Sequence, residues 1–441
     1  MQEGEHIEAS SIKATSYRHN FLSFLGEATL FGIGIQFANT TTILPSFVSQ
    51  LGGGAVLVGL IVSINQGLWR LPQLIFANFL TNKPRKKPWL TRAGIIGRPA
   101  YLLFAIALWF GLGHWPSAAL TLFFLAHALF YTNMAMDSVV WWDVFAKAIP
   151  GSRRGRLLGL STMLRGAFSV GAGFLIAWML GKNGPPFPFN HAALFTLSGV
   201  FLLLSLASWT RVVEPEEPVE RQRTPWRDYV RQMSDIFRHN GAFRWLILVR
   251  LLAGLDGLAL GFYIIFAIHR MGFSTASLGL FTAVQTVGGI LAGVLFGVIS
   301  ERFGTHRVIQ LGTLFSLSAP LVALGFLLLG PPDGLVGNVL YSWVFLAVGV
   351  FLTTNFIGFS NYVIELAPPG HRGTHIGLFN TMTGVLVVWP AVGGWLLEQT
   401  SYLVLFSVTA GCLLLAHGLS WGLPAIHRLP SPWKPGTSPR R

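Results

Sequence analysis

Apolar residues run in twelve blocks of helix length, separated by short polar connections. The blocks fall at 21–44, 55–80, 92–112, 117–146, 155–180, 191–209, 243–268, 275–299, 306–329, 335–366, 372–397 and 402–423. About 20 apolar residues cross a bilayer as a helix, so the pattern predicts an all-α membrane protein with twelve transmembrane helices. One long polar stretch, 210–240, divides the blocks six and six. The expected organisation is a tail at 1–20, a six-helix bundle at 21–209, a linker at 210–242, a second six-helix bundle at 243–424 and a tail at 425–441. Within the linker, Thr224-Pro225 supplies an N-cap and first-turn proline. Trp226, Val230, Met233 and Phe237 then recur on one helical face. That spacing fits a short interfacial helix, or a solvated helix with a chance apolar stripe.

Charge placement orients the spans. The chain is 52% hydrophobic and 11% charged, against about 25% charged residues in soluble domains. The formal net charge of +14 would suit a nucleic-acid partner if it lay on a polar face. Instead it sits in short loops beside apolar spans, where topology and anionic headgroups explain it, so nucleic acid is not expected. Lys83, Arg85, Lys86 and Lys87 follow the second block, and Lys147, Arg153, Arg154 and Arg156 follow the fourth. Arg302 and Arg307 follow the eighth, Arg372 opens the eleventh, and Arg428, Lys434, Arg440 and Arg441 lie in the tail. The alternate connections carry little beyond Lys182 and Arg270. Lysine and arginine collect on the cytoplasmic side, so both termini are expected there, in a plasma (cytoplasmic) membrane. The first twenty residues read as a polar tail, not a signal peptide.

The halves repeat. A shift of 218 lays Pro150, Arg154, Gly155, Gly159 and Leu160 on Pro368, Arg372, Gly373, Gly377 and Leu378. A parallel six-helix repeat is a transporter architecture. The loop Gly297, Glu301, Arg302, Gly304, Arg307 resembles the signature of the major facilitator superfamily: glycine, acid, arginine, glycine and a terminal base between adjacent helices. Its first-half copy is degenerate, with Asn82 where the acid is expected and Lys83-Pro84-Arg85-Lys86-Lys87 replacing the basic pattern. The Arg154-Gly155 and Arg372-Gly373 loops are similar to the family's as well. The resemblance spans all twelve blocks and implies two pseudo-symmetric six-helix bundles, with these loops biasing one conformation. Sugar-porter signatures are missing, and Gly166–Gly173 lacks the proline of the drug-antiporter motif, so the resemblance assigns no subfamily.

Polar groups at membrane depth are costly and need a partner, water or a task. The resemblance implies a central cavity lined by the first, fourth, seventh and tenth helices. Those blocks carry Gln36, Asn39 and Thr40; Asn133 and Asp137; Asp256; and Thr354 and Asn355. The repeat pairs Gln36 with Asp256 and Asp137 with Asn355, so each carboxylate has a neutral mate. Such asymmetry suits coupling or recognition; hydrogen-bonded glue between helices is the other reading. Arg70, Asp137 and Arg165 share a depth of about 15 Å at 1.5 Å per residue, with Glu27 shallower, so a neutralised cluster or a site for a substrate anion is expected. Arg98 and Arg250 lie nearer a helix end and are expected to snorkel.

The lone cysteine, Cys412, permits no intrachain disulfide or thiolate cluster. The sequence holds no HExxH and no Walker-type loop, so no metal, cofactor or ATP cradle is expected and no enzymatic activity. The functional expectation is a monomeric secondary transporter of a small organic solute. It works by alternating access, with protons as the coupling partner and export favoured over uptake. Uptake of an anionic metabolite through Arg70 and Arg165 is the alternative within transport. A receptor or scaffold on the same fold, or a membrane transferase using Asp143 or Glu365, are the alternatives outside it.

Overall fold

A computed structural model of the chain describes residues 2–80, 83–215, 236–238, 240–332, 334–367 and 372–425. Most of the proposed linker helix and Asn82 lie outside the described residues. Every regular element among the described residues is helical. Bilayer hydrocarbon offers the backbone no hydrogen-bond partner, so a spanning segment must satisfy its amides internally.

Ten helices among the described residues are long and apolar enough to cross a membrane: Ala55–Leu80, Pro116–Ala148, Arg153–Leu180, Phe189–Thr210, Gly241–Arg270, Ser277–Phe303, Thr305–Leu329, Gly334–Leu366, His375–Gln399 and Tyr402–Ser420. The first and third predicted spans are not among them. The first block is divided: helix Gln2–Phe37 ends before a turn, and Ile43–Gln50 resumes. Asn39 makes that turn, its Oδ1 accepting from Thr41 N and Thr41 Oγ1, both at 2.8 Å. A short amide side chain that bonds its own backbone two residues on competes with the helix. The third block is divided at Arg98-Pro99 into Lys87–Gly97 and Ala100–Trp109. Proline has no N–H to offer the carbonyl one turn back.

Contacts divide the chain into two compact units. The first comprises Met1–Gln222, Gly261–Ala283 and Pro390–Glu398; the second comprises Arg223–Leu260, Val284–Trp389 and Gln399–Arg441. In the first unit, Phe24 packs edge-on against Trp141, Phe145 and Trp209, with ring centroids 5.4, 5.4 and 5.7 Å away. A second aromatic group gathers on Phe47, with Phe104, Phe123 and Phe195. The late segments close onto this unit through small residues. A side chain at Gly59 would strike the carbonyl of Pro390, and one at Gly394 the carbonyl of Ala55. Thr42 and Thr282 share a 2.7 Å hydroxyl hydrogen bond, and Glu398 Oε1 accepts from the amide of Val56 at 3.0 Å. The second unit is centred on Phe243, Leu246, Val249, Ile309, Phe351, Phe359 and Tyr362.

His127 staples three segments of the first unit. Its Nε2 meets Ile61 O at 3.0 Å and its Nδ1 meets Tyr101 Oη at 2.8 Å. A carbonyl only accepts, so Nε2 carries the proton and Tyr101 donates to Nδ1. All of this is fully buried. His127→Phe strands both partners and is expected to cost about 1–3 kcal/mol, read as a lowered melting temperature in detergent. Adding Tyr101→Phe should recover part of the loss, because the orphaned hydroxyl goes with it. Strictly additive losses would dissolve the staple.

Candidate functional site

The buried charges of the first unit converge on Arg98. The break at Pro99 sets this residue where the helix is interrupted, and Gly94 and Gly97 clear the ground beside it. A side chain at Gly94 would collide with Leu206, and one at Gly97 with Asn133. Small residues let helices approach closely in a membrane, and the guanidinium reaches across to three others. Arg98 Nη2 donates to Glu27 Oε1 at 2.9 Å and to Asp137 Oδ2 at 3.3 Å. Nη1 donates to Ser205 Oγ at 2.5 Å. Trp141 Nε1 donates to the other Glu27 oxygen at 2.8 Å, and the guanidinium lies 5.4 Å from the Phe31 ring centre. The side chains of Arg98, Glu27 and Asp137 are 3%, 5% and 6% exposed. Two carboxylates thus share one cation in a buried interior, and among the described residues Asp137 Oδ1 and Arg98 Nε find no hydrogen bond.

This arrangement corrects the expected one. Arg98 does not snorkel; it is the cation that Asp137 and Glu27 hold. Arg250 is likewise buried, 5.2 Å from the centre of the Phe359 ring. Arg165 lies over Gly32 and donates to Thr162 Oγ1 at 3.2 Å. Arg70 ends the helix Ala55–Arg70 beside Trp69, 5.9 Å from its ring centre. Gln36 Nε2 donates to Ser169 Oγ at 2.7 Å. Asn133 packs on Gly97 and donates to Leu129 O of its own helix at 2.8 Å. Glu27 and Trp141, which complete the cluster, do so through contacts between helices that no spacing along one helix displays.

In the second unit the candidate residues stand where helices change pitch. Asp256 closes the 3-10 turn Gly254–Asp256, half-buried, between the helices Gly241–Ala253 and Gly257–Leu260. Asn355 opens the π-helical segment Asn355–Ser360, and its buried Oδ1 has no hydrogen bond among the described residues. Such departures from α geometry are frequent at functional positions.

A family model described as Major Facilitator Superfamily matches residues 143–389, more than half of the chain. The chain belongs to the major facilitator superfamily. A tetracycline resistance protein of class H from Pasteurella multocida is 24% identical over 80% of this chain and 83% of its own. A probable sulfoacetate transporter, SauU, from Cupriavidus necator is 28% identical over 43% of this chain and 42% of its own. Among solved structures, the nucleoside transporter NupG (D323A mutant) superposes with a TM-score of 0.68 at 13% identity, over 91% of this chain and 99% of that one. A bacterial homologue of the iron transporter ferroportin, in an inward-facing state, gives 0.66 at 16% identity, over 93% and 98%. The protein is a multi-pass membrane transporter of this superfamily and not an enzyme. Among the described residues no group of His, Cys, Asp and Glu could hold a metal ion.

The loop motifs of this superfamily member have definite local roles. Arg154 Nε donates to Ile149 O at 2.9 Å, and its Nη2 donates to Ala146 O. It thus satisfies carbonyls at the end of helix Pro116–Ala148, where a cation also suits the helix dipole. Gly304 adopts φ +88° just before helix Thr305–Leu329, a conformation that favours glycine. Arg307 donates to Gln310 Oε1 at 2.8 Å and lies 5.3 Å from the Trp421 ring centre. Glu301 and Arg302 are exposed, and Gly155 and Gly297 border open space. Among the described residues Glu301 makes no ion pair. Arg372 and Gly373 begin the helix Arg372–Thr383. In the degenerate copy Lys86 Nζ pairs with Asp143 at 2.6 Å. In the other half Thr305 Oγ1 donates to Glu365 Oε2 at 2.6 Å.

Proposed function

We propose that this transporter exports a small amphipathic organic solute by alternating access, driven by protons. Its twelve spans would form two six-helix bundles at 21–209 and 243–424, with both termini and the 210–242 linker on the cytoplasmic side of the plasma membrane. Export of a toxic compound confers resistance to it, so the resemblance over 80% of the chain to a tetracycline resistance protein supports that direction. The cavity candidates are Gln36, Asn39, Arg70, Asn133, Asp137, Arg165, Asp256 and Asn355, with the 297–307 loop and the Arg154 and Arg372 loops as conformational elements.

One observation carries the coupling assignment: Asp256 stands half-buried at an interruption of its helix, whereas Asp137 is held by Arg98. A proton-exchanging carboxyl must meet water in part of its cycle and be sheltered in another, and Asp256 meets that requirement better. Purified protein in proteoliposomes with an imposed pH gradient tests it over a panel of compounds. Asp256→Asn is expected to abolish gradient-driven accumulation while sparing solute exchange. Accumulation at the wild-type level with the usual pH dependence would return Asp256 to a structural role.

A second reading is uptake of an anionic metabolite. Arg165 favours it: the residue is half-buried and, among the described residues, its buried Nε has no hydrogen bond, leaving a donor for a carboxylate or sulfonate. The partial relative described as a probable sulfoacetate transporter points the same way. Inclusion of organic anions in the same panel separates the two readings.

A further inference from the structure

A cavity of about 740 Å³ opens at one end of the first unit, lined by Arg85, Lys87, Arg92, Thr210, Arg211 and Glu214 among others. Glu214, the acid among the described lining residues, is already occupied. Glu214 accepts from the amides of Lys86 and Lys87 at 2.9 and 2.7 Å and lies 3.7 Å from Lys147 Nζ. Its side chain is 3% exposed. Among the described residues, four cations therefore line an opening whose carboxylate is turned inward and balanced.

The walls are held in place. Segment 211–214 is pinned by reciprocal hydrogen bonds between Asn20 and the backbone of Val213, at 2.9 and 2.8 Å. His19 Nε2 meets Arg211 O at 2.7 Å. Lys87 Nζ donates to Thr210 O at 2.7 Å, which spends one of its three protons and aims the ammonium at the rim. The Arg92 guanidinium lies 5.2 Å from the Trp89 ring centre, an arrangement that leaves its N–H edge able to donate.

What adjoins the cations decides the ligand. On helix Lys87–Gly97, Ile95 and Ile96 stand three and four residues beyond Arg92 and so share its face. They are 60% and 58% exposed. A cationic mouth thus runs directly into bare apolar surface on a membrane protein. A soluble phosphate would use the first half of that surface and leave the second wet; a phospholipid uses both.

We propose that this cavity is a binding site for an anionic phospholipid, its phosphate held by Arg85, Lys87, Arg92 and Arg211 and its acyl chain laid along Ile95 and Ile96. The protein purified in mild detergent would be titrated with phosphatidylglycerol, phosphatidylcholine or inorganic phosphate, with retained lipid counted by native mass spectrometry and melting temperature followed in parallel. Phosphatidylglycerol should be retained over phosphatidylcholine and should raise the melting temperature. Arg85→Gln/Arg92→Gln/Arg211→Gln should lower that retention at least about tenfold, since each basic group at a lipid surface contributes roughly a kcal/mol. A control variant, Arg153→Gln/Arg156→Gln, changes exposed cations in the first turns of the helix Gly151–Leu180 and should retain lipid as wild type does. If the triple variant melts below wild type in lipid-free detergent, Ile95→Ser/Ile96→Ser supplies the second reading and should weaken phosphatidylglycerol without altering the response to phosphate. Equal retention of the two lipids, equal losses in the control, or an equal rise in melting temperature with inorganic phosphate alone would each overturn the proposal.

Discussion

Arg98→Gln is expected to be the most damaging single charge change in the first unit. It leaves Glu27 and Asp137, with side chains 5% and 6% exposed, facing each other without a cation. Removing one partner of a buried ion pair typically costs about 3–5 kcal/mol, far more than the intact pair is worth, because the remaining charge stays desolvated. Asp137→Asn should cost less, since Glu27 continues to hold the guanidinium. The triple change Glu27→Gln/Arg98→Gln/Asp137→Asn should recover a large part of the loss, since a neutral hydrogen-bonded set needs no counter-charge. Melting temperature and detergent-extracted yield read all three. If Asp137→Asn proves as harmful as Arg98→Gln, or the triple variant is worse than Arg98→Gln alone, the three groups do not act as one unit.

Gly349→Ala is expected to have an effect of similar size for a wholly steric reason. Helix Gly334–Thr354 lies so close to Ser277–Phe303 that an added methyl would run into the carbonyl of Gln285 and approach the amide of Gly289 at 3.0 Å. Both are backbone atoms of a neighbouring helix, and neither can rotate aside. Overpacking a filled interior costs about 1–3 kcal/mol and sometimes more. On the same neighbouring helix, Gly293 borders open space. Gly293→Ala should therefore be neutral or raise stability slightly, through better helix propensity and a less flexible unfolded chain. A melting comparison of the two variants checks the close approach, and equal melting temperatures would contradict it.

The class of this protein was legible from its sequence because bilayer thickness and loop charge are properties of segments, and segments are read directly. The family followed from the loop between two apolar blocks, where Gly304 and Arg307 have local roles that a short motif can carry. The charged site was only half legible. Asp137 and Glu27 stood out as acids at membrane depth, but their partner was assigned by depth to Arg70 or Arg165, and Arg98 was placed at a helix end. The pairing depends on which faces of three helices meet, which periodicity along any one of them does not encode. Two local signals pointed to Arg98 nonetheless. It precedes a proline, and glycines stand four residues and one residue before it, the composition of a broken helix under close packing. Asn39 shows the opposite case: Asn-Thr-Thr-Thr is a turn signal, and the Asn39 Oδ1 accepts from Thr41 within that turn.

The first unit is not finished by the residues that begin it. Its amides and carbonyls near Ala55 and Val56 meet Gly394 and Glu398, and Pro390–Glu398 is counted within it. A ribosome adds about 5–20 residues per second, so on the order of ten to thirty seconds pass between synthesis of residue 222 and arrival of that segment. During this interval the early helices already sit in the membrane with glycine-lined seams open to lipid, to other nascent spans or to insertion chaperones. Biogenesis of the early part of the chain is therefore gated by its late part. A lesion between residues 390 and 398 should appear in a pulse-labelled cell as delayed protection of the first two hundred residues from protease.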